Sequence, residues 1–163
     1  MTTRVPSLRT SGFTLVEMMV VAILMGVMAN MASSAWAESA SYRLNLVQTE
    51  ITDAVEYAKA LASSSREAHG VVFDPGTERL CVVDESGDVV EDTLTKTDYI
   101  IDFLDPQYPR GIDITSADFG DAGMALIVEP EGAALSGGTV VISFAQASRT
   151  LTVDPATATL SGS

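Results

Sequence analysis

A run of twenty residues from Met18 to Ala37 contains no charged side chain. An apolar helix of about 20 residues is long enough to cross the roughly 30 Å hydrocarbon core of a bilayer. One carboxylate, Glu17, stands directly before this run. An ionisable group at the edge of a membrane segment is costly and is therefore a candidate for a functional role. The run predicts a chain that is anchored through its N-terminal part.

The residues in front of this run are polar and basic. Residues 1–12 include Arg4 and Arg9 but no acidic side chain, and Pro6 disfavours a continuous helix there. Positive charge before a hydrophobic segment keeps that end of the chain in the cytoplasm. We therefore expect everything after the apolar run on the opposite side of the membrane.

The charge of the whole chain is strongly negative. The net charge is −13, and outside residues 1–12 the chain has 7 basic and 22 acidic side chains. A surface with this charge repels the phosphate backbone of DNA or RNA, so we predict no nucleic-acid partner. Cys81 is the single cysteine, and an internal disulfide is therefore excluded.

The helix is expected to continue beyond the apolar run. No glycine or proline occurs between Trp36 and His69. Apolar residues in this part recur at spacings of three and four, which is the pattern of an amphipathic helix with one buried face. We therefore predict one helix from about Phe13 to about Ser64. The predicted buried stripe consists of Leu44, Val47, Ile51, Ala54, Ala58 and Leu61.

The pattern changes after Ser65 to short runs of alternating apolar residues separated by turn signals. Such runs predict β-strands joined by tight turns. One example is the pair of runs on either side of Asp74-Pro75-Gly76-Thr77, which predicts a hairpin. The predicted strands cover residues 71–73, 79–83, 99–104, 112–114, 125–128, 139–144 and 150–153, with a weaker one at 158–160.

These elements together predict an α+β fold. A long N-terminal helix, first transmembrane and then amphipathic, packs on an antiparallel β-sheet head, because each element then buries one apolar face. We expect four parts: a leader peptide at 1–12, a transmembrane or filament-core helix at 13–37, an amphipathic continuation at 38–65, and a β-rich globular head at 66–163.

Residues 12–17 read Gly-Phe-Thr-Leu-Val-Glu and follow a short basic leader. This motif resembles the processing site of type IV prepilins, which is shared by type IV pilins and by the pseudopilins of type II secretion. The resemblance implies cleavage between Gly12 and Phe13 by a prepilin peptidase, followed by N-methylation of Phe13. Both steps would take place at the cytoplasmic face of the bacterial inner membrane, with the head in the periplasm.

The resemblance also implies a role for Glu17 in assembly. A carboxylate in hydrocarbon requires a partner. In the family, the equivalent glutamate is thought to meet the N-terminal amine of a neighbouring subunit, here the amine of Phe13. A simpler alternative places Glu17 at the headgroup boundary, where water hydrates it.

The head resembles a narrower group within this family. Gly-Val-Val-Phe at 70–73, Arg-Leu-Cys-Val at 79–82, Gly-Gly-Thr-Val-Val-Ile-Ser at 137–143 and Arg-Thr-Leu-Thr-Val at 149–153 are similar to the H-type minor pseudopilin GspH and the minor pilin FimT. The resemblance implies a structural subunit of the type II secretion pseudopilus, with a minor type IV pilin as the alternative. Its partners would be other pseudopilin or pilin subunits, the prepilin peptidase and inner-membrane lipid.

Two other classes of protein remain possible on the residues alone. Ala35-Trp36-Ala37 is a small-x-small sequence after an apolar core, as at a secretory signal cleavage site. Cleavage after Ala37 would release a secreted or periplasmic binding module. A membrane-anchored enzyme is the second alternative, but no nucleophile motif or phosphate-binding loop occurs in the sequence.

The sequence predicts no cofactor and no metal. One histidine and one cysteine are too few for a zinc site. Calcium, which prefers several carboxylate oxygens, is the one metal that the composition leaves open. The carboxylates considered for it are Asp113, Asp118 and Asp121, with a second acidic cluster from Asp84 to Asp92 that we interpret as solvated turns.

Overall fold

A computed structural model describes residues 15–162, with side chains throughout except at 29–38. The predicted leader at 1–12 and both residues of the predicted cleavage junction, Gly12 and Phe13, lie outside the described residues. The chain divides into two compact units, Met1–Glu38 and Ser39–Ser163.

One helix, α1, runs from Leu15 to Ser65. Its end agrees with the prediction, since the hydroxyls of Ser64 and Ser65 both donate to the carbonyl of Leu61, at 3.0 and 2.9 Å. Arg66 then adopts a positive φ of 63°, and its amide donates to the carbonyl of Ala62. A left-handed residue directly after the last turn is a common way to stop a helix.

Eight strands and one 3-10 turn follow the helix. In chain order the strands are β1 His69–Asp74, β2 Arg79–Val83, β3 Ile100–Asp102, β4 Ile112–Asp118, β5 Ala125–Val128, β6 Gly138–Phe144, β7 Ala147–Asp154 and β8 Thr159–Gly162, with the 3-10 turn at Gly120–Ala122 between β4 and β5.

The strands form two antiparallel sheets. The first has the order β3-β2-β1-β5 and the second the order β4-β6-β7-β8. The prediction of an α+β fold with a helix packed on antiparallel strands is confirmed, but the head has two four-stranded sheets where one sheet was expected. The division arises because β5 returns to pair with β1, whereas β4 pairs with β6.

One hydrophobic core joins the helix to both sheets. Phe73 from the first sheet lies against Phe119, which follows β4, with ring centroids 5.6 Å apart. The helix contributes every member of the predicted stripe, five of them buried and Leu61 packed against the core. The burial pattern therefore confirms the predicted orientation of the helix within the unit 39–163.

Two strands differ in length from the prediction. β3 is limited to Ile100–Asp102, since Asp102 Oδ1 accepts the amide of Leu104 and turns the chain. β4 extends to Asp118, although its second half is mostly exposed and gives little apolar signal.

Candidate assembly surface

Between Leu15 and Met28 the helix has large apolar side chains on all its faces, with Glu17 as the one charged residue. Every residue of this part is exposed. Its large hydrophobic side chains have exposed fractions between 40% at Val21 and 77% at Leu15. A helix that is hydrophobic all round is normally buried by other protein or by lipid. We call residues 15–28 the apolar segment. It contains the largest concentration of exposed hydrophobic side chains within the described part of the chain.

Glu17 lies in the first turn of the described helix. Glu17 is also exposed. Because Phe13 lies outside the described residues, the predicted pairing between its amine and Glu17 stays a prediction.

Within the residues that the structure describes, no helix combines the length and the apolar character that a membrane span requires. The transmembrane part predicted at 13–37 includes residues whose side chains lie outside the described set. It stays a prediction.

The second part of the helix is held by the strands of its own unit. The Arg149 side chain on β7 donates through Nη1 to the Asn45 side-chain oxygen and, at 2.9 Å, to Gln48 Oε1. The Arg43 guanidinium lies 4.8 Å from the centre of the Phe144 ring at the end of β6. Arg149 lies directly before the predicted strand 150–153, and the sequence gave no sign of this contact.

The helix also contacts the loop between β2 and β3. The rings of Tyr57 and Tyr99 stack with their centroids 4.7 Å apart. The Tyr57 hydroxyl also accepts the amide of Thr93 at 3.3 Å. These contacts fix residues 43–57 of the helix against the head.

The three carboxylates considered for calcium do not converge. Asp113 and Asp118 are five residues apart on β4, which corresponds to about 17 Å along a strand. Asp121 lies in the following 3-10 turn. Among residues 15–28 and 39–162, no group of three or more His, Cys, Asp or Glu side chains is arranged to hold a metal ion. The structure therefore gives no support to calcium at these positions.

The acidic loop after β2 is organised by its own hydrogen bonds. Asp84 Oδ1 accepts from the Ser86 hydroxyl at 2.6 Å and from the amides of Ser86 and Asp88 at 2.9 and 3.0 Å. The hydrogen bond from the Ser86 hydroxyl is the main cause that lowers the pKa of Asp84. The interpretation of this cluster as turn chemistry is consistent with these contacts.

The surroundings of His69 and Cys81 are not those of a metal ligand or a catalytic group. His69 is 7% exposed at the start of β1, and its Nδ1 lies 3.1 Å from the carbonyl of Glu67. It is buried, although a lone histidine after a helix is more often solvated. Cys81 is half-buried in β2, and burial raises the pKa of its thiol. A thiol with a raised pKa is a weak nucleophile at neutral pH.

Comparison with known proteins identifies the N-terminal motif. The model of the prokaryotic N-terminal methylation motif matches residues 8–32. The chain carries a type IV prepilin-like N-terminus. This match includes Gly12, Phe13 and Glu17, and it confirms the type IV prepilin-like resemblance predicted from residues 12–17.

Solved structures give a weaker similarity. Two crystal structures of the type IV minor pilin FimU from Pseudomonas aeruginosa match with TM-scores of 0.46 and 0.45, at 15% and 18% sequence identity. They cover 71% and 69% of this chain and 88% and 84% of the FimU chains. Similarity at this level assigns no function. No curated protein matches the sequence.

Proposed function

We propose that the protein is a structural, non-catalytic subunit of a type IV pilin-like filament. More specifically, we propose that it is a minor pseudopilin. It would be a subunit of the type II secretion pseudopilus, which takes part in protein export across the outer membrane. A minor type IV pilin that acts in pilus biogenesis is the alternative. The proposal rests on the methylation motif at 8–32 and on the apolar segment that overlaps it.

The apolar segment is the observation that carries the proposal. Eleven large hydrophobic side chains between Leu15 and Met28 are exposed, and they cover every side of the helix. Soluble monomers rarely expose a contiguous apolar patch of this kind, because burying it is worth about 25 cal/mol per Å². A filament core or a lipid bilayer supplies that burial for a helix of this shape.

The proposal assigns a role to each predicted residue. A prepilin peptidase cleaves between Gly12 and Phe13, and the new amine of Phe13 is N-methylated. Glu17 pairs with that amine on a neighbouring subunit and sets the register of the filament. Before assembly, residues 13–37 anchor the chain in inner-membrane lipid, residues 38–65 continue the helix, and residues 66–163 form the periplasmic head.

The mature N-terminus tests the processing step. We expect mass spectrometry of the protein from native membranes to find N-methylated Phe13 as the first residue. Gly12→Leu should leave the precursor uncleaved, whereas Gly26→Ala, where an added Cβ has nothing within 4 Å, should be processed normally. A mature protein that begins at Glu38 would show that the chain is a secreted module cleaved after Ala37.

The assembly role of Glu17 requires a separate test. Glu17→Gln keeps the size of the side chain and removes its charge, so it should abolish the ion pair with the Phe13 amine and reduce incorporation into filaments. Glu131→Gln, an exposed position on the head, is the matched control. Normal incorporation of a processed Glu17→Gln subunit would reject the amine-pairing role while leaving the processing step intact.

The choice between the two filament systems depends on phenotype. Deletion of the gene in its native bacterium should abolish secretion of folded proteins across the outer membrane and leave pili unchanged. Loss of pili with normal secretion would instead support the minor pilin alternative.

A further inference from the structure

Arginines from three parts of the chain lie near Phe144, the last residue of β6. The Arg43 guanidinium on α1 lies 4.8 Å from the centre of the Phe144 ring. Ile112, the first residue of β4, is the strand partner of Phe144, and a Cβ on Gly111 would lie 3.6 Å from the ring. Arg110, directly before Gly111, is therefore at the same end of the second sheet.

Arg149 on β7 is the third of these arginines. Its strand partner is Ile142, two residues before Phe144. Its Nη1 donates to the side-chain oxygen of Asn45 and, at 2.9 Å, to that of Gln48. Both acceptors are neutral amides, so they orient the guanidinium and leave its charge in place. We call the three residues the arginine surface: Arg43, Arg110 and Arg149.

The charge of the arginine surface is not neutralised by an ion pair within residues 39–162. The ion pairs in this range are those of Lys59 with Glu56 and of Arg79 with Asp102. The segments that supply the three arginines contain none of the 22 acidic side chains of the protein; they are 39–49, 106–112 and 132–153. A guanidinium is always protonated in proteins, so the surface stays cationic at physiological pH.

Asp113 is the nearest acidic side chain along β4, and it points away from this surface. Its Oδ2 accepts the hydroxyls of Thr115 and Ser143 at 2.8 and 3.0 Å. Successive side chains of a strand point to opposite faces of the sheet. Asp113 therefore lies on the other face from Ile112, the partner of Phe144.

The chain keeps the arginine surface close to the proposed membrane anchor. Arg43 follows Ala37, the last residue of the uncharged run, by six residues. Even a fully extended chain of that length spans only about 20 Å. Tyr42, next to Arg43, is 70% exposed. Tyrosine is enriched where a membrane meets water, because it has an apolar ring and a polar hydroxyl.

The other end of the amphipathic helix has the opposite charge. From Arg43 to Ser65, α1 advances about 33 Å. Glu67 follows there and lines one cavity together with Asp84 and Glu85. An anionic surface attracts the first end of the unit 39–163 and repels the second.

We propose that the arginine surface binds the phosphate groups of anionic phospholipids. The inference rests on the proposed function, in which residues 13–37 anchor the chain in a membrane. It adds a second contact, made by the head, that favours anionic over zwitterionic lipid. Because the contact is electrostatic, salt weakens it.

Chemical modification of the full chain in vesicles tests this contact. Phenylglyoxal reacts with accessible guanidinium groups, and mass spectrometry measures the rate at each arginine. Arg43 and Arg110 should react roughly fivefold more slowly in vesicles of phosphatidylcholine mixed with phosphatidylglycerol than in phosphatidylcholine alone. High salt should remove the difference. Arg66, exposed beyond the helix end, is the internal control with equal rates in both. Equal rates at Arg43 and Arg110 would overturn the proposal.

A matched pair of variants separates this contact from a general effect of the lipid on the head. Arg110→Gln removes one charge from an exposed loop position, so the rate at Arg43 with phosphatidylglycerol should approach the rate in phosphatidylcholine alone. Arg66→Gln removes one charge at a distance and should leave Arg43 protected. Unchanged protection of Arg43 in Arg110→Gln would contradict a shared phosphate-binding surface.

Flotation of the vesicles distinguishes a failure of this inference from a failure of the proposed function. A chain that floats with phosphatidylcholine vesicles is anchored, so a lack of protection by phosphatidylglycerol would then reject the arginine surface alone. A chain that floats with neither kind of vesicle would reject the membrane anchor and the inference with it. Protection that appears only after other filament subunits are added would assign the arginines to a protein partner and overturn the lipid contact.

Discussion

The two described parts of the helix both carry many apolar side chains but differ in their exposure. In the apolar segment, 15–28, the large hydrophobic side chains are at least 40% exposed. In the part from Ala40 to Ala62, eight apolar side chains are at most 7% exposed, because the two sheets of the head cover them. The same kind of residue is thus buried within the chain in one part and exposed in the other.

The difference is encoded in spacing. From Leu44 onwards buried apolar residues recur every three or four positions, and most residues between them are polar, so one face of the helix is buried and the other is wet. The apolar segment has no polar face, and a single sheet could cover only one of its sides. Spacing therefore separates a surface that stabilises the unit 39–163 from a surface that, under the proposed function, other subunits or lipid cover.

The strongest test of this comparison places the same substitution in both parts. Ile51→Ala removes a fully buried side chain, so the free energy of unfolding should fall by about 2–5 kcal/mol. Ile23→Ala, at a position that is 61% exposed, should change it by no more than about 0.5 kcal/mol. Chemical denaturation of the two variants in detergent measures both values. Equal losses of stability would mean that the head also covers the apolar segment.

A pair of glycines provides the next test. A Cβ at Gly138 would overlap the Phe119 ring and the carbonyl oxygen of Asp118, and backbone atoms cannot move aside easily. Gly138→Ala should therefore lower the free energy of unfolding by about 1–3 kcal/mol. Gly26→Ala has open space and a helical backbone, so it should be neutral or stabilising by up to about 1 kcal/mol. Unchanged stability in Gly138→Ala would show that β6 and the Phe119 turn are not in close contact.

The smallest effect is expected for the polar contact between the helix and β7. Arg149→Ala removes the hydrogen bonds to Asn45 and Gln48 and should lower the free energy of unfolding by about 1–2 kcal/mol. Arg110→Ala, at an exposed loop position, is the control and should be close to neutral. A loss in Arg149→Ala no larger than that of the control would mean that the hydrogen bonds of Arg149 do not stabilise the contact between the helix and β7.

Local patterns predicted most of the elements. The helix and its buried stripe, the β1–β2 hairpin around Pro75-Gly76 and the strands β5 and β6 follow directly from periodicity and turn residues. The predicted strands 139–144 and 150–153 left five residues for the β6–β7 turn, but the turn consists of Ala145 and Gln146, with Ala145 at a φ of 56°. Neither residue is typical of a turn with positive φ, so the sequence carried no signal for its position.

Contacts between residues far apart in the chain were beyond sequence reasoning. The choice of β5 to pair with β1 and of β4 to pair with β6 depends on the packing of the whole core. The contact between Glu78 and Ile114 joins residues 36 positions apart and follows no motif. The proposed assembly site is different, because the motif at residues 12–17 consists of consecutive residues and is recognisable in the sequence by itself.

The methionines of the chain test the central claim most directly. Met18, Met19, Met25 and Met28 lie in the apolar segment, and Met124, on the head, is 50% exposed. Oxidation of native membranes or isolated filaments with hydrogen peroxide, followed by mass spectrometry, reports the access of water to each sulfur. We predict that the four methionines of the apolar segment are protected while Met124 is oxidised. Oxidation of all five at similar rates would contradict burial of the apolar segment by other subunits or lipid.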